Sequence, residues 1–269
     1  SIGAAVPGPA AIALEARTHS FRAAFVAIAL VGVAYAPLFW RVTSHPSVRP
    51  IVERREPPKR DALASFLALL REPAVQRACV LVIASAPAIM LVLNWGPQFL
   101  ASQLGVPQRE QARFVWAPPV AFDAGAVIFG ALASRRDREK RGIRDLVLGA
   151  ALLEACLAFA ALTRHPVAGM AFCSVAMAGG GALYALAAAD LFRQIGLARA
   201  GASGGLAAAA QSVAHIVAAP LVGRVLDRTH NDYRGVLVVL GALAHPDAVA
   251  WALWRTPPVA APARDAAAG

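Results

Sequence analysis

The sequence predicts an all-α fold, a polytopic transmembrane helical bundle, on three observations. Hydrophobic residues make up 58% of its 269 positions, charged residues only 16%, and the mean hydropathy is +0.56. An average soluble domain carries about 25% charged residues, which form its polar shell. Here the charges arrive in a few clusters, separated by apolar runs of roughly 18–24 residues, the length that crosses a hydrocarbon core about 30 Å thick. The basic residues are also distributed unequally between alternate clusters, as expected of loops on two sides of a membrane.

Eight apolar runs read as helices, at residues 2–16, 23–40, 78–101, 114–133, 146–162, 167–191, 202–225 and 235–254. The first lacks a basic leading region and is interrupted by Pro7-Gly8-Pro9, which argues against a signal peptide. The chain begins with Ser1 and not Met, so this first helix is expected to be truncated and the chain to be a fragment. The second run ends Phe39-Trp40-Arg41 and the last ends Trp251…Trp254-Arg255, aromatic residues beside charge as at a membrane interface. None of the runs is amphipathic in the manner of a soluble surface helix, so lipid or other helices must surround them.

Residues 41–77 form the one long polar connection. It holds His45-Pro46, Glu56-Pro57-Pro58-Lys59-Arg60-Asp61 and a short amphipathic stretch at 62–70, and it divides two helices from six. The expected organisation is residues 1–40, a central cytoplasmic loop at 41–77, a six-helix bundle at 78–255 and a cytoplasmic tail at 256–269. Cys79, Cys156 and Cys173 all fall inside apolar runs with no metal-ligand or redox spacing, so neither a disulfide framework nor a metal site is expected.

Orientation follows from the Lys and Arg residues. One set of alternate connections (residues 41–77, 135–144, 193–199 and the tail) carries 18 of the 26, and the other set carries 8. The heavier side is expected to be cytoplasmic, which places the protein as a multi-pass component of the cell (inner) membrane. This accounts for the net charge of +10 without a nucleic-acid partner, because a basic patch for DNA or RNA gathers on a polar face and does not flank apolar spans.

Several motifs carry a resemblance. The third run ends Asn94-Trp95-Gly96-Pro97-Gln98-Phe99-Leu100, and the fourth begins Trp116-Ala117-Pro118-Pro119-Val120-Ala121-Phe122-Asp123-Ala124-Gly125, with Gly130 following. These resemble the W-x-P-x-[YF]-L and W-x-P-x-x-x-x-D-x-G patterns of the anion:cation symporter group of the major facilitator superfamily, transporters of hexuronates, galactonate and similar acids. Asp190-Leu191-Phe192 and Pro220-Leu221-Val222-Gly223…Asp227 resemble that group's tenth and eleventh helices. Ser1-Ile2-Gly3-Ala4, Pro9 and Phe21-Arg22-Ala23-Ala24-Phe25 resemble its fifth and sixth. The resemblance implies a partial major facilitator fold covering helices five to twelve, with residues 1–40 as the last two helices of the N-terminal bundle. Three departures stand out. Ser134 occupies the place of an Asp that precedes the basic residues of a cytoplasmic latch loop, with Asp137 as a possible substitute. Phe99 replaces the commoner Tyr, and His245-Pro246-Asp247 interrupts the last run without explanation.

Polar residues at membrane depth are functional candidates because burying them is costly. Asp123 lies about ten residues into its run, near the midplane where such transporters bind substrate. It reads either as a proton-coupling or gating carboxylate or as a structural hydrogen-bonding group beside Gly125. Gln211 and His215 share a face at i and i+4, on the helix that corresponds to a cavity-lining one; the alternative is interhelical hydrogen bonding. Asn94 and Gln98 form another i, i+4 pair beside Trp95 and Pro97, and read as cavity lining or as caps of a proline-bent helix. Tyr184 faces either the cavity or packed neighbours. Glu154, His245 and Asp247 fall on helices that are peripheral in the resembled fold, where packing or snorkelling is expected.

The resemblance implies a secondary active transporter, expected to be monomeric, taking up a small organic anion with protons by alternating access, without cofactor or metal. A drug or metabolite exporter on the same fold is the alternative within transport. An intramembrane enzyme would require acidic or His clusters at headgroup level, where Arg dominates here. A non-transporting scaffold is the third possibility.

Overall fold

The computed structural model describes residues 7–46, 62–195 and 197–254, and every regular element among them is a helix. The linker residues 47–61, the tail from 255 and residues 1–6 lie outside the described residues. Helices α1 (Pro7–Thr18) and α2 (Phe21–Thr43) pack against each other across a turn in which His19 takes a left-handed φ of 51°. Along α2, Phe25, Leu30, Val31 and Trp40 are all exposed. The short helix α3 (Ala62–Leu70) coincides with the amphipathic stretch expected in the linker.

The third apolar run becomes α4 (Pro73–Ser102), which starts five residues earlier than expected. Pro73 explains the start: in the first turn its missing N–H costs nothing and its fixed φ suits the helix. After the single turn α5 (Gln108–Gln111), α6 (Ala117–Arg138) begins later than its run. Phe114 N–H bonds to Gln111 and Ala117 N–H to Phe114, three-residue turns that hold the chain until Pro118-Pro119 can occupy the first helical turn.

The run at 146–162 was expected as one helix and is two. Helix α7 (Arg144–Ala155) stops at Cys156 and α8 (Leu157–Ala160) follows. The N–H groups of Cys156, Phe159 and Ala161 each bond three residues back, tightening the backbone beyond α geometry. Next come α9 (Pro166–Ile195), α10 (Leu197–Arg228) and α11 (Arg234–Leu253). Beside the break in the 146–162 run α11 comes close: a Cβ on Gly241 would lie 2.8 Å from the Ala158 nitrogen.

Three consecutive glycines at the middle of α9 organise the bundle, each against a different helix. A Cβ on Gly179 would overlap the Glu154 backbone N and crowd the Ala150 carbonyl of α7. On Gly180 it would press on the Ile89 side chain of α4, and on Gly181 it would overlap the Phe122 carbonyl of α6. Helix α6 returns the contact, because Gly125 lies directly against the Ala178 carbonyl. Association inside a membrane depends on packing of this kind, since lipid supplies no hydrophobic drive between helices.

Glu154 sits in this hub, fully buried, and among the described residues neither carboxylate oxygen has a hydrogen-bond partner. Of packing and snorkelling, packing is what the structure shows. A buried polar group with no partner contributes cost and little attraction. Glu154→Met is therefore expected to leave thermal stability in detergent unchanged or raised, whereas Glu154→Lys should sharply lower folded yield. A clear destabilisation by Met would show that the carboxyl holds the bundle together.

Six of the described helices are long and apolar enough to cross a membrane: Phe25–Thr43, Pro73–Ser102, Ala117–Arg138, Pro166–Ile195, Arg199–Arg228 and Arg234–Leu253. The described part of the first run and the broken 146–162 run fall short of that length, so the eight expected spans resolve into six long helices and two shorter helical segments. Large apolar side chains point outward along these helices, such as Val127 at 72% and Ile216 at 72% exposure. Such a surface needs lipid or further helices over it.

Side chains near the helix ends meet in two separate groups. At one end Asp137 of α6 pairs with Arg193 of α9, and Asp190 of α9 pairs with Arg77 of α4. At the other, Gln98 donates to Asn231, and the Tyr233 N–H bonds to the Gln103 side chain. Single cysteines at Ser134 and Asn231, in a background without the native three, are expected to label from opposite sides of the membrane. Labelling of both from one side would contradict this arrangement.

Candidate functional site

The six candidate polar residues fall on four helices that the packing joins in two pairs. Helices α6 and α9 form one. Asp123 is half-buried and lies between Phe122 and Gly125, the two α6 residues locked against α9. Tyr184, 37% exposed, is three residues beyond Gly181 on α9. The crossing thus fixes the backbone on which both side chains stand.

Helices α4 and α10 form the other pair. Asn94 and Gln98 lie on an exposed strip of α4, and Gln98 Nε2 donates to Asn231 Oδ1 at 3.0 Å. On α10 Gln211 and His215 are half-buried, and His215 Nε2 lies 3.0 Å from the Ala86 carbonyl of α4. A carbonyl only accepts, so Nε2 is the donor in this bond. His215 therefore makes the interhelical bond weighed from the sequence. Gly180 against Ile89 connects the two pairs through α9 and α4.

A cavity of about 820 Å³ lies elsewhere, and none of the six candidates lines it. It sits between Ala11 and Ile12 of α1, Gly96 and Pro97 of α4, and Gln108 and Gln111 at α5. Gln111 is buried, with its amide donating to the Val106 carbonyl at 3.3 Å. These two glutamines were not legible as site residues, because in the sequence they belong to a polar connection between apolar runs.

A second unanticipated feature is the charge cluster at the Arg77 end. Arg77 is buried, 3.6 Å from Asp190, with its guanidinium 4.2 Å over the Trp251 ring. Asp190 also meets Arg193 at 3.6 Å, and Arg193 meets Asp137 at 3.4 Å, so four charges tie α4, α6 and α9 together. Arg77 reads as a loop charge by composition, yet Glu72-Pro73 is a helix-start signal that would have placed it inside α4. Asp137 does make an ion pair where Ser134 has none to make; the Ser134 hydroxyl bonds back to the Gly130 carbonyl. Nearby, Arg136 grips Asp145 through both carboxylate oxygens, at 3.0 and 2.6 Å. These hydrogen bonds hold the Asp145 carboxyl below its ordinary range. Its contribution is therefore present above that range and lost only as pH falls through the lowered value.

A model described as the Major Facilitator Superfamily matches residues 1–219, most of the chain. The chain belongs to the major facilitator superfamily. It is a multi-pass membrane transporter, and the bundle of apolar helices is the transporter's helical fold. Members of this superfamily move small molecules and do not catalyse their conversion. A search among curated proteins finds none that matches the transporter.

Proposed function

We propose that this transporter takes up a small organic anion, a sugar acid or related carboxylate, together with protons across the cell membrane by alternating access. The reading rests on Trp116, Pro118, Asp123 and Gly125, whose spacing resembles the anion:cation symporter pattern. The structure adds that this segment holds a carboxylate beside the tightest helix crossing in the bundle. A titrating group there can act on the α6–α9 contact, because an interface packed backbone to backbone responds to a change of charge by shifting as a unit.

In this reading Asp123 takes up and releases the coupled proton. Gln211, the other ring nitrogen of His215, Asn94, Gln98 and Tyr184 supply hydrogen bonds suited to a hydroxylated acid. The charge cluster of Asp137, Arg193, Asp190 and Arg77 serves as the latch at one membrane face, with Asp137 in the role that Ser134 cannot fill. The working unit is one molecule. Uptake of labelled hexuronates by cells producing the transporter should exceed that of control cells and should collapse with a protonophore. Equal uptake in control cells, or outward movement of apolar compounds with no anion uptake, would overturn this reading in favour of another substrate class.

A further inference from the structure

Asp247 of His245-Pro246-Asp247, a segment the transport reading leaves unused, lines a second and separate opening. Helices α10 and α11 splay apart over α4, leaving a groove of about 680 Å³ between them. Ile83 and Pro87 of α4, Val213 and Leu221 of α10, and Val236 and Leu243 of α11 are among its lining residues. Every lining residue is apolar except Asp247. Among the described residues no hydrogen bond or ion pair engages this carboxylate. Ile83, Val213, Leu221 and Val239 are all exposed along the groove, so among the described residues its side is open. None of these residues lines the 820 Å³ cavity.

We infer that this groove binds a membrane-dissolved organic cation, an apolar body carrying one positive charge that pairs with Asp247. Three observations select that occupant. A groove of this volume lies within the range of about 300–1,000 Å³ typical of small-molecule sites. An acyl chain alone would fill the apolar length but leave the carboxylate uncompensated in a low-dielectric setting. A phospholipid headgroup cannot reach it comfortably, because Asp247 stands six residues before Leu253, about 9 Å inside the end of α11. A cation with an apolar body satisfies both the walls and the charge.

The test uses two ions of one shape and opposite charge, tetraphenylphosphonium and tetraphenylborate, with the protein in nanodiscs and empty nanodiscs as background. Tetraphenylphosphonium should bind saturably, and tetraphenylborate should only partition into lipid. Asp247→Asn should weaken tetraphenylphosphonium binding by about tenfold or more, the scale of a desolvated charge pair. Equal saturable binding of both ions, or unchanged affinity in a well-folded Asp247→Asn protein, would overturn the inference. Val239→Trp provides a second arm, since it fills the groove from an exposed position and leaves the acid in place. It should abolish saturable binding of the cation, and retention at full affinity would equally overturn the site.

Discussion

Gly181→Ala and Gly125→Ala are each expected to abolish recovery of folded protein. At both positions the added methyl would occupy the space of a carbonyl on the facing helix, Phe122 for Gly181 and Ala178 for Gly125. Side chains yield to an added methyl by changing rotamer, but a backbone carbonyl can move only if its helix moves. Overpacking typically costs about 1–3 kcal/mol, and a backbone-to-backbone overlap belongs at or beyond the upper end. Gly179→Ala faces the same obstacle in the backbone of α7, whereas Gly180→Ala meets only the flexible Ile89 side chain and should be milder. Gly223→Ala and Gly149→Ala have open space at the Cβ, and gain up to about 1 kcal/mol of helix propensity. The measurement is the monodisperse fraction and thermal midpoint in detergent. Similar values for Gly181→Ala and Gly223→Ala would show that the α6–α9 crossing is not the fixed contact described above.

The contrast among these glycines shows what the sequence could and could not reveal. Run length and charge clustering locate the long helices, because the bilayer sets their length and leaves little else to decide. They fail at residues 146–162, where a run that is apolar except for Glu154 conceals a break at Cys156, beside the approach of α11. Gly179-Gly180-Gly181 signals close approach, but which helix each glycine meets is a tertiary fact with no local trace. The same division applies to the site. Asp123 and Gln211 are conspicuous as polar groups in apolar surroundings. Arg77 is hidden, since one more Arg after a basic linker reads as solvated until Trp251 and Asp190 close over it.

Asp123→Asn is expected to remove proton-driven accumulation while leaving a folded, monodisperse transporter. Asparagine keeps the shape and a hydrogen-bonding oxygen of the side chain but cannot titrate. If coupling uses the carboxylate, accumulation against a gradient should fall to near the level of facilitated equilibration, with substrate binding retained. A structural role predicts the reverse, with poor folding but normal accumulation per folded molecule. His215 offers a useful comparison, because His215→Gln replaces the ring that reaches the Ala86 carbonyl and should disturb the α4–α10 contact first. Loss of folded yield there, together with loss of coupling at Asp123, would separate a helix-bridging group from a coupling group within one bundle.

Proton coupling is tested most directly by recording proton and substrate movement together in proteoliposomes. With no imposed gradient, adding an external sugar acid should alkalinise the outside medium in step with substrate entry, and Asp123→Asn should enter substrate without the pH change. Substrate entry with no proton movement in the unaltered protein, or an identical pH signal from Asp123→Asn, would contradict coupling through this residue.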